Sequence, residues 1–167
     1  MADTYGAKAG IRVPDSYPAA NQWDQVLSVV TSDATTTGQS LVDITGLAVA
    51  VVHGAVYEFE ASLLTVASAD TNGMEVGVHL TQTPVTVECT VEANTTTTTV
   101  TLQGIQAVDT ASGAVNTSNA GKGHIFVRGF VTTHATLDST LSIQHLKVTS
   151  GTSTVKVGST LKIRKVG

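Results

Sequence analysis

Charged side chains, aromatics and cysteine are all scarce in this sequence. Charged residues make up 13% of the 167 positions and aromatic residues 4%, the former about half the share of an ordinary globular domain. Lys and Arg number 9 against 13 Asp and Glu, a net charge of −4 with a pI near 5.6. Binding to duplex nucleic acid or to an anionic membrane needs clustered cations, so neither partner is expected. So few aromatics also argue against a carbohydrate-binding module with a stacking platform. The single cysteine, Cys89, cannot close an internal disulfide, and no Cys/His zinc spacing surrounds it. Synthesis and folding in a reducing cytoplasm are therefore expected, whatever the final address. No apolar run approaches the roughly 20 residues of a membrane-spanning helix. The opening MADTYGAKAG lacks a basic patch followed by an apolar stretch, so no secretory signal is expected.

What the sequence does have is threonine and valine, 28 and 24 of them. β-Branched side chains lose rotamer freedom in helices and pack well on a pleated sheet. No long segment shows a 3.6-residue apolar period, whereas alternation recurs many times. Tyr57, Phe59, Ala61 and Leu63 alternate with Glu58, Glu60 and Ser62; Met74, Val76, Val78 and Leu80 with Glu75, Gly77 and His79. Val85, Val87, Cys89 and Val91 alternate with Thr86, Glu88, Thr90 and Glu92. Such segments predict antiparallel strands with one solvated face. Further strands are expected over 26–31, 40–52 with a bend at Gly46, 96–105, 123–133, 139–148 and 153–166, the last interrupted at Gly158-Ser159. Turn signals at Asp70-Thr71-Asn72-Gly73, Thr83-Pro84 and Ser150-Gly151 separate them. About eight to ten short strands in one domain of this size predict an all-β fold, a jelly-roll-like antiparallel β-sandwich over 26–167.

Residues 1–25 differ from the rest. They hold Pro14, Pro18, Trp23, Tyr5 and Tyr17 and no sustained periodicity, which predicts an irregular extended arm. A Gly/Ala/Ser/Asn stretch over 106–122 predicts an exposed loop. The threonine run 95–99 reads as the start of a strand, because a lattice-matching surface would need an internal repeat, and none is present.

Catalytic constellations are sparse. The five histidines, His53, His79, His124, His134 and His145, show no HxH or HExxH grouping and read as rim residues rather than metal ligands. Glu58 and Glu60 share a strand face about 7 Å apart by strand geometry, a spacing compatible with paired-carboxylate hydrolysis but also ordinary for outward-facing acids. No nucleophile elbow, phosphate loop or dinucleotide fingerprint occurs in a strand–turn–helix context. Asn94-Thr95-Thr96 and Asn116-Thr117-Ser118 match the glycosylation pattern by chance in a Thr-rich chain. Cys89 lies on the apolar side of its strand, so a buried structural thiol is expected. No enzyme activity, metal or cofactor is expected. Five of the nine cations, Lys147, Lys156, Lys162, Arg164 and Lys165, fall after the last acid, Asp138. If the closing strands are neighbours, one side of the molecule is basic and suits head-to-tail or same-axis association with an acidic surface; the rival reading is an edge strand guarded by lysines.

The order of several pieces adds a resemblance. Ser40-Leu41-Val42-Asp43-Ile44-Thr45-Gly46-Leu47 precedes Gly54-Ala55-Val56-Tyr57-Glu58-Phe59-Glu60-Ala61. Gly129-Phe130-Val131-Thr132-Thr133 and Ser139-Thr140-Leu141-Ser142-Ile143-Gln144 follow, and Thr154-Val155-Lys156-Val157-Gly158-Ser159-Thr160-Leu161-Lys162-Ile163-Arg164 closes the chain. Across about residues 26–166 this pattern resembles a β-sandwich module of tailed-bacteriophage virion proteins, found as capsid decoration proteins and as distal domains of tail fibres. The resemblance implies a trimerising domain without enzymatic activity, displayed on the virion surface after synthesis in the bacterial host cytoplasm. Leu141 and Ile143 lie opposite Leu146 and Val148 on their strand, which suggests burial on both sides at a subunit interface or a bulge; Leu141, Ile143, His145 and Leu146 are the interface candidates. A short arm before one domain suits a decoration (cement) protein that docks on the major capsid protein, with Tyr5, Ile11, Arg12, Val13, Tyr17 and Trp23 as the contact residues. The alternative is a tail-fibre or tail-tip module that binds a cell-surface glycan or protein through 106–122.

Overall fold

The computed structural model describes residues 25–67, 73–94, 100–115 and 122–167. Apart from Gln25, the expected arm lies outside the described residues, and with it Tyr5, Ile11, Arg12, Val13, Tyr17 and Trp23. The strands are β1 (Gln25–Val29), β2 (Ala34–Thr36), β3 (Val42–Val51), β4 (Val56–Ala67), β5 (Met74–Leu80), β6 (Thr86–Asn94), β7 (Val100–Ile105), β8 (Lys122–Thr132), β9 (Ser139–Lys147), β10 (Ser153–Val155) and β11 (Thr160–Lys165). No helix occurs among the described residues. The fold is an all-β antiparallel sandwich. One sheet, A, runs β1-β11-β4-β8-β6-β7, with β10 joining β4 to β2; the other, B, runs β3-β9-β5.

The two faces of each strand explain the layering. Along β4 the buried and half-buried residues alternate without a break from Val56 to Leu63, so Tyr57, Phe59, Ala61 and Leu63 enter the core and Glu58, Glu60 and Ser62 face out. On β5, Met74, Val76 and Val78 are fully buried, and on β6 Val87, Cys89 and Val91 point inward. Each large apolar side chain removed from water contributes about 1.5–3 kcal/mol, and one continuous cluster spans both sheets. Cys89 is 8% exposed, and burial pushes its thiol up to about 11.

The expected irregularities have physical causes. In β3 the pairing with β9 shifts between Asp43 and Ala48, and Gly46 sits within that bulge at φ +92. A Cβ at Gly46 would meet the Val29 carbonyl at 3.0 Å, and the Ser28 hydroxyl donates to the Gly46 carbonyl. Between β10 and β11 the ladder with β4 breaks, and Gly158 adopts φ +89. The Ser159 hydroxyl repairs the gap: it accepts from the Leu64 N–H at 2.9 Å and donates to the Lys156 carbonyl at 2.8 Å.

Two expectations change. The loop over 106–115 is not a free excursion. It runs along the edge of β5, with N–H donations from Asp109 to Val78 (2.9 Å), Ser112 to Val76 (2.7 Å) and Val115 to Met74 (2.8 Å), and Val115 is fully buried. Residues 116–121 lie outside the described residues. The second concerns β9, whose pairing with β5 is unbroken from Leu141 to Lys147, so no bulge accounts for its two apolar faces. It is the central strand of sheet B. Leu141, Ile143 and His145 are 0–1% exposed and Leu146 is 8% exposed within a single chain. Above the outer side, the Leu41 side chain and Thr110 carbonyl lie over Gly77, the β5 residue paired with Gln144. The double burial that suggested a subunit interface is therefore intramolecular, and these four side chains leave no surface for a partner.

Candidate functional site

The outer side of sheet B is covered over its central strand β9, while β3 exposes Asp43, Thr45, Ala48 and Ala50; the outward face of sheet A is broad and open. Its register places the outward residues in transverse rows. One row runs Leu27, Lys162, Glu60, Arg128 and Thr90; the next runs Arg164, Glu58, Phe130 and Glu88. Arg164 pairs with Glu58, and Arg128 Nε lies 3.3 Å from Glu60. The Arg128 guanidinium also stands 4.6 Å from the Phe126 ring centroid, a cation–π contact. Phe126 packs against His124 at 4.1 Å, whose Nε2 is 2.8 Å from the Ser62 hydroxyl. An open depression of about 420 Å³ lies between these side chains, walled by Glu58, Glu60, Arg128, Phe130, Lys162 and Arg164.

Each of the two glutamates is thus tied to an arginine on a neighbouring strand. They form rungs of an ion-pair ladder rather than two carboxyls converging on one substrate atom. Apolar side chains flank the ladder: Leu27, Val29, Leu64, Val100, Leu102 and Phe130 are all exposed. Alternating charge with exposed apolar borders is a combination that protein-contact surfaces share. The apolar borders were legible but ambiguous in sequence. Phe130 falls on the polar side of the β8 alternation, and Val100 and Leu102 alternate with Thr101 and Gln103, so pattern alone did not say which side was core.

The histidines do not converge. His53 Nδ1 lies 2.7 Å from Asp138, and hydrogen bonds from the His53 N–H and ring hold the Asp138 carboxyl below its ordinary range. His79 Nδ1 lies 2.7 Å from Asp109 and fastens the docked loop to β5. The His134 ring accepts from the Leu137 N–H at 3.1 Å. His145 is buried, 3.4 Å from the Ser153 hydroxyl, and desolvation lowers it to about 4. Among the described residues no group of three or more His, Cys, Asp or Glu side chains is arranged to hold a metal.

The closing cations also separate. Lys147 belongs to sheet B, Lys156 pairs with Asp33, and Lys162, Arg164 and Lys165 stand on β11. β11 is an interior strand between β1 and β4, so its lysines do not guard an edge.

Comparison with known proteins places the chain in no family: no family model matches and no curated protein matches. Among solved structures, a chain from the infectious bursal disease virus Gt strain aligns over 99% of this protein and 47% of its own length, with 13% identity and a TM-score of 0.26. The protein thus spans about half the length of that chain, and overlap at this level carries no argument about fold or function.

Proposed function

We propose that the protein is a structural virion protein of a tailed bacteriophage: a homotrimeric capsid decoration protein, without enzymatic activity, that docks on the major capsid protein. The observation that supports this reading is the open outward face of sheet A, wide, charged and bordered by exposed apolar side chains. The segment 1–24 joins the fold at Gln25, on the edge strand of that same face, so arm and face address one partner together. In this reading Tyr5, Ile11, Val13, Tyr17 and Trp23 bury against neighbouring capsid subunits and clamp them against internal pressure. At roughly 25 cal/mol per Å² of apolar surface, a few such side chains contribute several kcal/mol per site before ordering costs.

The test is to disrupt purified virions of the phage encoding this chain, separate heads from tails, and identify the fraction that carries it. Recovery with heads supports decoration. Recovery with tails supports the host-recognition module instead, and absence from the virion overturns both.

A further inference from the structure

Building on the homotrimer reading, we propose that copies of this chain join head to tail through the two ends of sheet A, the β1 edge of one copy pairing antiparallel with the β7 edge of the next. The path β1-β11-β4-β8-β6-β7 contains six strands, each antiparallel to its neighbour. Its end strands therefore run in opposite directions. A rotation about an axis along the strands then sets β7 of one copy antiparallel beside β1 of another, with both outward faces on the same side.

Most of each edge is unguarded; at the end of β1 the backbone of Gly46 lies against the Val29 carbonyl, on the side away from β11. Neither Gln25–Val29 nor Val100–Ile105 contains a charged residue or proline, the usual devices against edge pairing. Among the described residues, each strand has one strand neighbour only. Their outward side chains are apolar and exposed: Leu27 is 55% exposed, Val29 39%, Val100 52% and Leu102 66%. One antiparallel register sets Leu27 opposite Leu102 and Val29 opposite Val100, with Ser28 facing Thr101. Cross-strand pairs of this kind are the unit of sheet stability.

Charge selects head-to-tail over like-with-like contact. β11, beside β1, carries Lys162, Arg164 and Lys165 and no acid. β6, beside β7, carries Glu88 and Glu92 and no base. Pairing β1 with β1 or β7 with β7 gathers like charges, whereas β1 with β7 sets cations near acids. A three-copy ring also requires two unlike patches, because a self-complementary interface closes at two copies.

The experiment is oxidative cross-linking of the full chain carrying both Leu27→Cys and Leu102→Cys, with diamide as the oxidant. The two positions in one chain lie about five strand spacings, roughly 24 Å, apart, so a disulfide between them joins different copies. Cys89 is buried, with its thiol pushed up to about 11, and stays silent. A covalent trimer on a non-reducing gel, with each single variant remaining monomeric, is the expected result. Cross-linking of the Leu27→Cys single variant to itself overturns the proposal in favour of a two-copy contact. A double variant that does not cross-link, beside wild-type protein of trimeric mass by light scattering, overturns the edge contact and leaves the trimer standing. No cross-link and a monomeric wild-type mass overturn both. The Val29→Cys/Val100→Cys pair, in the same register, gives the same readings if the first pair misfolds.

Discussion

At the residue scale, two buried groups have measurable signatures. His145 is 1% exposed, with the Ser153 hydroxyl at 3.4 Å, and burial holds it near 4, against about 6.5 in an unfolded chain. Between those values the unfolded chain binds a proton that the folded one does not. Stability is therefore full above about pH 6.5 and falls as pH drops toward 4, by about 3 kcal/mol in total. Melting temperatures measured across that window should show the decline, and a non-titrating His145→Gln variant should show a flatter profile. Gly129 is the second case. A Cβ there would lie 2.2 Å from the Glu88 carbonyl oxygen and 2.6 Å from the Cys89 Cα, so β6 and β8 can approach only with hydrogen at this position. Gly129→Ala should cost about 3 kcal/mol in chemical denaturation, and a change below about 0.5 kcal/mol would contradict the packing described.

At the element scale, the repair between β10 and β11 depends on one hydroxyl. Ser159 is fully buried and serves Leu64 and Lys156 where the ladder with β4 breaks. Ser159→Ala strands the Leu64 N–H and should destabilise by about 1–3 kcal/mol. The docked loop makes a separate prediction: the amides of Asp109, Ser112 and Val115 should exchange slowly, as members of an edge ladder rather than of a mobile loop. These same elements show what was legible in sequence. Strict alternation over 57–63 and 87–91 named core and surface correctly, whereas Val85, read as core, is exposed and Gly77, read as solvated, is buried; Gly46 and Gly158-Ser159 marked the two interruptions. The loop over 106–115 read as an excursion because its small polar residues dock through backbone hydrogen bonds, which leave no side-chain period. β9 misled because a central strand covered on both faces shows the same two-sided apolar pattern as one at a subunit interface. The ladder was half visible: Glu58 and Glu60 were apparent on one strand, but their partners Arg164 and Arg128 come from strands distant in sequence.

At the scale of the whole molecule, the open outward face of sheet A carries both the ladder and the junction with 1–24. If that segment is the clamp, deleting residues 2–22 leaves every described strand in place, so the variant should fold with an unchanged circular dichroism spectrum while losing its hold on capsids. The charge pattern of sheet A adds a salt signature: assembly through β1 and β7 should weaken as ionic strength rises from 0.05 to 0.5 M, about the range over which surface charges become screened, and mass measured by light scattering would follow it. The most direct measurement is co-sedimentation of the purified full chain with phage heads lacking it, beside the 2–22 deletion. Saturable binding of the full chain in multiples of three per lattice site, with none for the deletion, is the predicted result. Equal binding of both, or no binding of the full chain, would contradict the account.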